Sequence, residues 1–338
     1  MEEEYIRGAL FGAAFGDAMG AGTEFIRSAN AIKAKYPPDG PTQPMGNPAR
    51  VTDDTQMMIA VGKALGLVSR GEETFFADAL RRTFIAWYHD PDNNRAPGNT
   101  CLRGCEGLED RTSPWQAASI LGSKGCGANM RVQPLGLLPE EVDDRDIAGM
   151  AQLQAAMTHG HPTGLAASDA TAMAIRFLAR GGEPDELVEY LLDYANSQRE
   201  VYHEDWLEDL WEYTHEQSPE DFIRRGWNET LDALEKLELA VATPRYEEDP
   251  CLSTGEGWIA EEALATGLHA FLLFWQDPQA ALQRAAVTCG DSDSIACLTG
   301  AFAGAYHGIG IWPGDWIERI EYEDDLNVVT RILTRFEL

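Results

Sequence analysis

Four glycines stand at strict four-residue spacing near the start of the chain: Gly8, Gly12, Gly16 and Gly20. A second set near the other end, Gly300, Gly304 and Gly308, repeats the spacing, with Ala296 one step earlier. Glycine in a helix interior costs about 1 kcal/mol against alanine, so a stripe of them persists only where close packing offsets that loss. Residues i and i+4 share a helix face, so each stripe is a groove in which another backbone can nest. The pattern predicts two helices packed closely in the middle of a bundle. It also places whatever lies at their ends near the molecular centre.

Helical periodicity dominates the rest. The spacing predicts helices over 2–22, 53–69, 73–89, 145–159, 165–180, 183–196, 203–214, 219–237, 259–275, 278–288 and 293–308. Alternating β-branched runs between tight turns are lacking, so the expected class is all-α. No repeat of 20–50 residues marks a solenoid, and no low-complexity linker divides the 338 residues, so one domain over 1–338 is expected.

Charge excludes one large class of partner. With 56 acidic and 26 basic residues the net charge is -30, which repels phosphate backbones, so nucleic-acid binding through a basic face is not expected. No apolar run reaches the roughly 18–20 residues that span a bilayer, and MEEEYIRG has the wrong charge for a secretory signal. A cytoplasmic protein without membrane contact is expected. The six cysteines form no C-x-x-C pair and read as reduced, mostly buried thiols. Residues 183–249 hold 21 acidic and 5 basic residues interleaved with Tyr202, Trp206, Trp211, Tyr213 and Trp227. They read as amphipathic helices with a solvated acidic face, or as a docking surface for a basic protein.

Two helix starts carry carboxylates. Val51-Thr52-Asp53-Asp54-Thr55 precedes MMIAVGKALGLV, and Gly290-Asp291-Ser292-Asp293-Ser294 precedes IACLTGAFAGAYHG. Capping explains one such cluster, because side-chain oxygens at a helix start accept from orphan N–H groups. It does not explain two. Both following helices are apolar enough to be buried, and no matching lysines or arginines stand beside the acids. A hard cation such as Mg²⁺ or Mn²⁺ is the natural partner for Thr52, Asp53, Asp54, Asp291, Asp293 and Ser294, and two ions are the sharper expectation.

These segments carry a resemblance. The glycine helix ending in GDAMGAGTEF, the VTDDT start and the GDSDS start resemble the ADP-ribosylglycohydrolase family, that of the dinitrogenase reductase-activating glycohydrolase and the ADP-ribosylarginine hydrolases. RAPGNTC at 95–101, SKGCGANMRVQPLG at 123–136, THGHP at 158–162 and GEGWIAEEALA at 255–265 look like its bacterial branch, in order across residues 8–308. The resemblance implies that Thr52, Asp53, Asp54, Asp291, Asp293 and Ser294 hold Mg²⁺, with serine at 294 where many members have threonine. It implies that Glu24 approaches the scissile ribose. It further implies that Asn99, Ser123, Gly125, Cys126, Gly127, Met130, Arg131 and His159 contact the ADP-ribose, with Cys126 where several relatives have asparagine.

The implied reaction is hydrolysis of the bond from ribose C1″ to an acceptor side chain of an ADP-ribosylated protein, arginine favoured, with release of ADP-ribose. Its oxocarbenium-like transition state needs a carboxylate near the anomeric carbon and an activated water, and Glu24 is the candidate for proton transfer. Gly125 and Gly127 are expected to permit close approach of backbone N–H groups to a diphosphate. Three alternatives stay open: a non-catalytic ADP-ribose binder, an immunity protein that antagonises an ADP-ribosylating toxin, and a metal-dependent phosphoesterase.

Overall fold

The computed structural model describes residues 1–72 and 74–337; Glu73, where one expected helix begins, and Leu338, where the expected domain ends, lie outside them. The first helices are α1 (Glu3–Gly20), α2 (Ala29–Lys35), α3 (Asp53–Ser69), α4 (Phe76–Tyr88), α5 (Asn99–Leu108) and the short α6 (Gln133–Gly136). There follow α7 (Asp144–Ala156), α8 (Pro162–Ala179), α9 (Leu187–Gln198), α10 (Glu204–Leu207), α11 (Pro219–Ala242) and α12 (Cys251–Thr254). The chain closes with α13 (Ala260–Leu273), α14 (Pro278–Ala286), α15 (Ser292–His307), α16 (Gly314–Arg319) and α17 (Glu323–Thr334). Extended pairing among the described residues is limited to isolated bridges, as an all-α chain requires. None of the described helices is long and apolar enough to cross a membrane.

The two glycine stripes meet. A Cβ on Gly304 would stand 1.8 Å from the Gly8 carbonyl oxygen, and one on Gly12 would stand 2.2 Å from that of Gly300. Further along, Gly16 faces Ala296 and Gly20 faces the Cα of Asp293. The seam between α1 and α15 is therefore backbone against backbone over four turns, and both helices are buried on nearly every side. Around them pack α13 and α14 on one flank, α3 and α17 on the other, and α8 with α7 and α11 beyond.

Gly304→Ala is expected to destabilise. The methyl must separate two backbones, and overpacking of this kind costs about 1–3 kcal/mol, more than the roughly 1 kcal/mol of helix propensity gained. Denaturant unfolding measures it; a variant as stable as the parent would show that the seam has slack.

Several boundaries differ from expectation, each for a tertiary reason. The expected helix 203–214 is broken into α10 and a 3₁₀ turn at Leu210–Tyr213, with Glu208 at φ +50° between them. Trp206 is seated on Gly149 of α7, and Gln116 donates to the carboxylates of Glu208 and Asp209, both at 2.9 Å. These anchors pull the segment out of one helix. Helices α2, α5, α6, α12, α16 and α17 lie outside the expected set. The last packs Val329 and Ile332 into the gaps left by Gly62 and Gly66 of α3. Over 183–249 most of the aromatic residues turn inward: Trp227 is fully buried edge-on to Tyr194, and Tyr202 packs edge-on to Phe222.

Candidate active site

Three helix ends converge at the end of the glycine seam. Asp17, on the buried face of α1, accepts from the Thr52 N–H at 2.9 Å, the Thr55 N–H at 3.1 Å and the Thr55 hydroxyl at 2.5 Å. A carboxylate of α1 thus caps α3 and fixes where that helix begins. Thr52 in turn accepts from the Asp54 N–H at 3.3 Å, the ordinary role of a threonine N-cap. On the other side, Gly20 abuts Asp293, and Thr23 and Ser292 share a hydrogen bond of 2.8 Å, which sets the start of α15. Ser294 donates to Asp54 at 2.9 Å and joins the two acidic helix starts.

Glu24 follows one turn after Gly20, its N–H donating to the Gly20 carbonyl at 3.0 Å. Its carboxylate oxygen and those of Asp291 and Asp293 lie within 4.8 Å of one another. With Asp17, Asp53 and Asp54 this makes six carboxylates at one junction, and among the described residues no lysine or arginine lines the cleft above them. Burial first, then the charge of Asp293, pushes the carboxyl of Asp17 up to about 7, Asp53 to about 8 and Glu24 to about 9. The same causes hold Asp54 and Asp291 well above the usual carboxylate range. Unpaired charge of this density is costly in a protein interior. The donors are oxygens, apart from the nearby Cys126 thiol, and suit a hard divalent cation.

The cleft, of about 220 Å³, is lined by Glu24, Asp53, Asp54, Asp291, Asp293 and Ser294 below and by Asn99, Gly125, Cys126, Gly127, Met130 and His159 along its walls. Cys126 donates to Asp291 at 2.7 Å, so its thiol touches the acidic floor. His159 is held by the Thr158 hydroxyl at 2.7 Å, and burial drives its pKa well below the ordinary value, so the ring is neutral. It is both a packed histidine and a cleft wall.

Three expected site residues, Arg131, Ser123 and Thr52, lie outside the cleft lining. Arg131 does not reach the cleft: it is fully buried and donates to Gln154 Oε1 at 2.8 Å, the Gln154 carbonyl at 2.7 Å and Thr158 at 2.8 Å. Its guanidinium lies 4.5 Å from the centre of the Phe84 ring, so it braces the wall from behind, including the threonine that holds His159. Ser123 also lies outside the lining, paired with Thr100 at 3.0 Å. Gly127 lines the cleft, and a Cβ there would meet Cys101 Sγ at 2.7 Å and the His159 ring at 2.9 Å. Thr52 sits behind Asp54 and opens toward an adjoining recess with Glu24.

The sequence reading missed Asp17, although an acid inside GAAFGDAMG with no cation at helical spacing was the available signal. It also missed Arg95 and Glu321. Arg95 donates to the Val51 carbonyl at 3.0 Å and to Glu321 Oε1 at 2.9 Å, and its other Glu321 contact is shorter still. Glu321 accepts the Val51 N–H at 3.2 Å, so the C-terminal segment ties the 95–98 rim to the start of α3. Glu321→Ala removes both short contacts of a guanidinium that is only 8% exposed and leaves it Asp92 at 3.9 Å as its remaining carboxylate. A loss of about 3 kcal/mol in unfolding free energy is expected, the lower end for breaking a buried pair.

Residues 2–338 match the model of the ADP-ribosylglycohydrolase family. The chain belongs to that family. It is 28% identical over 342 residues to the ADP-ribosylhydrolase ARH3 of Gallus gallus, covering 93% of this chain and 88% of the relative. It is 30% identical over 177 residues to the ADP-ribosyl-(dinitrogen reductase) glycohydrolase of Rhodospirillum rubrum, covering 50% of this chain and 54% of the relative. A solved structure titled as an ADP-ribosylglycohydrolase-related protein complex superposes with a TM-score of 0.66 over 99% of both chains at 23% identity, which shows the shared fold. The chain is thus a glycohydrolase by family, and the all-α expectation holds.

Proposed function

We propose that this glycohydrolase cleaves the bond between ribose C1″ of an ADP-ribosyl group and an acceptor side chain of a modified protein, arginine preferred, and releases ADP-ribose. The observation that supports this most directly is the convergence of Glu24 with four buried aspartates, Asp53, Asp54, Asp291 and Asp293, at the floor of a cleft that no lysine or arginine among the described residues lines. Thr52, Asp53, Asp54, Asp291, Asp293 and Ser294 would hold one or two Mg²⁺ ions, with Mn²⁺ able to take the same oxygen donors. Bound there, the cations would supply Lewis acidity toward the ribose hydroxyls.

The remaining work falls to the chain. The Gly125–Gly127 backbone, Met130 and His159 form the wall against which the nucleotide lies. Glu24, at the edge of the acidic floor, moves the proton that accompanies addition of water at C1″ and departure of the acceptor nitrogen. A cationic acceptor fits the field of a chain of net charge -30, which favours arginine-bearing segments at encounter.

The test is incubation with arginine-linked and serine-linked ADP-ribosylated proteins in the presence of Mg²⁺, following free ADP-ribose. Faster release from the arginine-linked protein is expected. Release from the serine-linked protein alone overturns the acceptor assignment. Bound ADP-ribose without release from either overturns the enzymatic reading, and liberated phosphate points to a phosphoesterase.

A further inference from the structure

The loop that lines the cleft is held from outside it. Gly125, Cys126 and Gly127 face the cleft, whereas Lys124, beside them, does not line it. The Lys124 ammonium points to the rear, donating to Glu229 of α11 at 2.7 Å and, closer still, to Glu261 in the first turn of α13. Glu229 also accepts from the Thr163 hydroxyl, in the first turn of α8, at 2.8 Å. One turn before Glu229, Gly226 lies so close to Pro162 that a Cβ would stand 2.2 Å from its carbonyl oxygen, so α11 is seated directly on the start of α8. The backbone of the loop is tied at the same place: Lys124 accepts from the Ala260 N–H at 2.8 Å, and Cys126 donates to the Trp258 carbonyl at 3.2 Å.

Lys124 is the only basic residue between Leu121 and Met130, beside a floor of buried carboxylates. A free ammonium there would be drawn into the cleft. Two carboxylates on α11 and α13 hold it away, and one of them, Glu261, is only 6% exposed in its side chain, which makes the pair stiffer than a surface ion pair.

We propose that Lys124 is a positioning residue: clamped between Glu229 and Glu261, it sets the placement of the Gly125–Gly127 backbone and thereby the affinity for the ADP-ribosyl group. This gives the acidic segment 183–249 a part in the site, because Glu229 belongs to it. The inference rests on the proposed function, in which this loop receives ADP-ribose.

The experiment compares the parent with Lys124→Met, Glu229→Gln and the double variant. It measures ADP-ribose affinity by calorimetry with Mg²⁺, kcat and KM on the modified protein, and amide exchange at Cys126 and Ala260. For Lys124→Met, Kd and KM are expected to rise about tenfold, the scale of one charge-assisted hydrogen bond, with kcat within about threefold of the parent. Exchange at both amides should quicken as the loop loosens. Glu229→Gln should shift both readouts the same way by less, and the double variant should be no worse than Lys124→Met, because the two residues act as one unit. Should Lys124→Met fold poorly, Glu229→Gln decides the matter alone. Kd within a factor of about two of the parent, whatever the melting temperature, overturns the inference and leaves the proposed function standing. A parent that binds no ADP-ribose overturns both.

Discussion

Glu24→Gln is expected to lower turnover by on the order of 10²–10⁴-fold, the usual worth of a general acid–base group. Glutamine keeps the size and much of the hydrogen bonding of Glu24 but can neither take up nor release the proton. ADP-ribose affinity should change far less, because the Gly125–Gly127 loop and His159 form a different wall of the cleft. A purely structural role predicts the reverse, reduced stability with full activity per folded molecule. Single-turnover rates on the modified protein, beside calorimetric Kd values, separate the two. Turnover within a factor of about two of the parent would remove Glu24 from the mechanism and turn attention to Asp54.

Asp291→Asn is expected to abolish measurable turnover and to weaken divalent-ion binding. Its effect on stability should have the opposite sign. Asp291 is 3% exposed, and its neighbours Asp293 and Glu24 raise its pKa further, so in chelator the charge is a burden on the fold. Asparagine removes that burden and leaves an oxygen to accept from Cys126. In chelator the variant should melt no lower than the parent, and added Mg²⁺ should stabilise the parent far more than the variant. A parent with no Mg²⁺- or Mn²⁺-dependent shift would sink the cation assignment. A variant that melts lower in chelator and keeps the shift would show that Asp291 is a helix-start residue and nothing more.

The two acidic helix starts and the glycine stripes were legible because each is written in spacing along one helix. Period-four glycines report a face that meets backbone, and Gly8 against Gly304 bears this out at 1.8 Å for a hypothetical Cβ. An N-cap followed by carboxylates reports a helix start, as Thr52 shows. The missed helices fall into two kinds. Helix α17 had its signal, with Leu326, Val329, Thr330 and Leu333 on one face, and a closer reading of the period would have found it. The split at Glu208 had none, because Gly149, against which Trp206 packs, and Gln116, which holds Glu208, lie on α7 and in a distant turn.

What the sequence by itself determined, then, is which helix faces are buried and which helix ends carry oxygen donors, since both follow from residues within a few positions of each other. The identity of a buried polar partner is a different kind of fact. Asp17 caps α3 from 35 positions away, Arg95 is paired with Glu321 across 226, and Lys124 is held by Glu229 and Glu261 across 105 and 137. Arg131 makes the same point: its place beside the GCGAN loop suggested a ligand contact, and the fold spends its donors on Gln154 and Thr158 instead. Only the tertiary structure decided these, because a buried charge must find a partner wherever packing places one, and no local period encodes that distance.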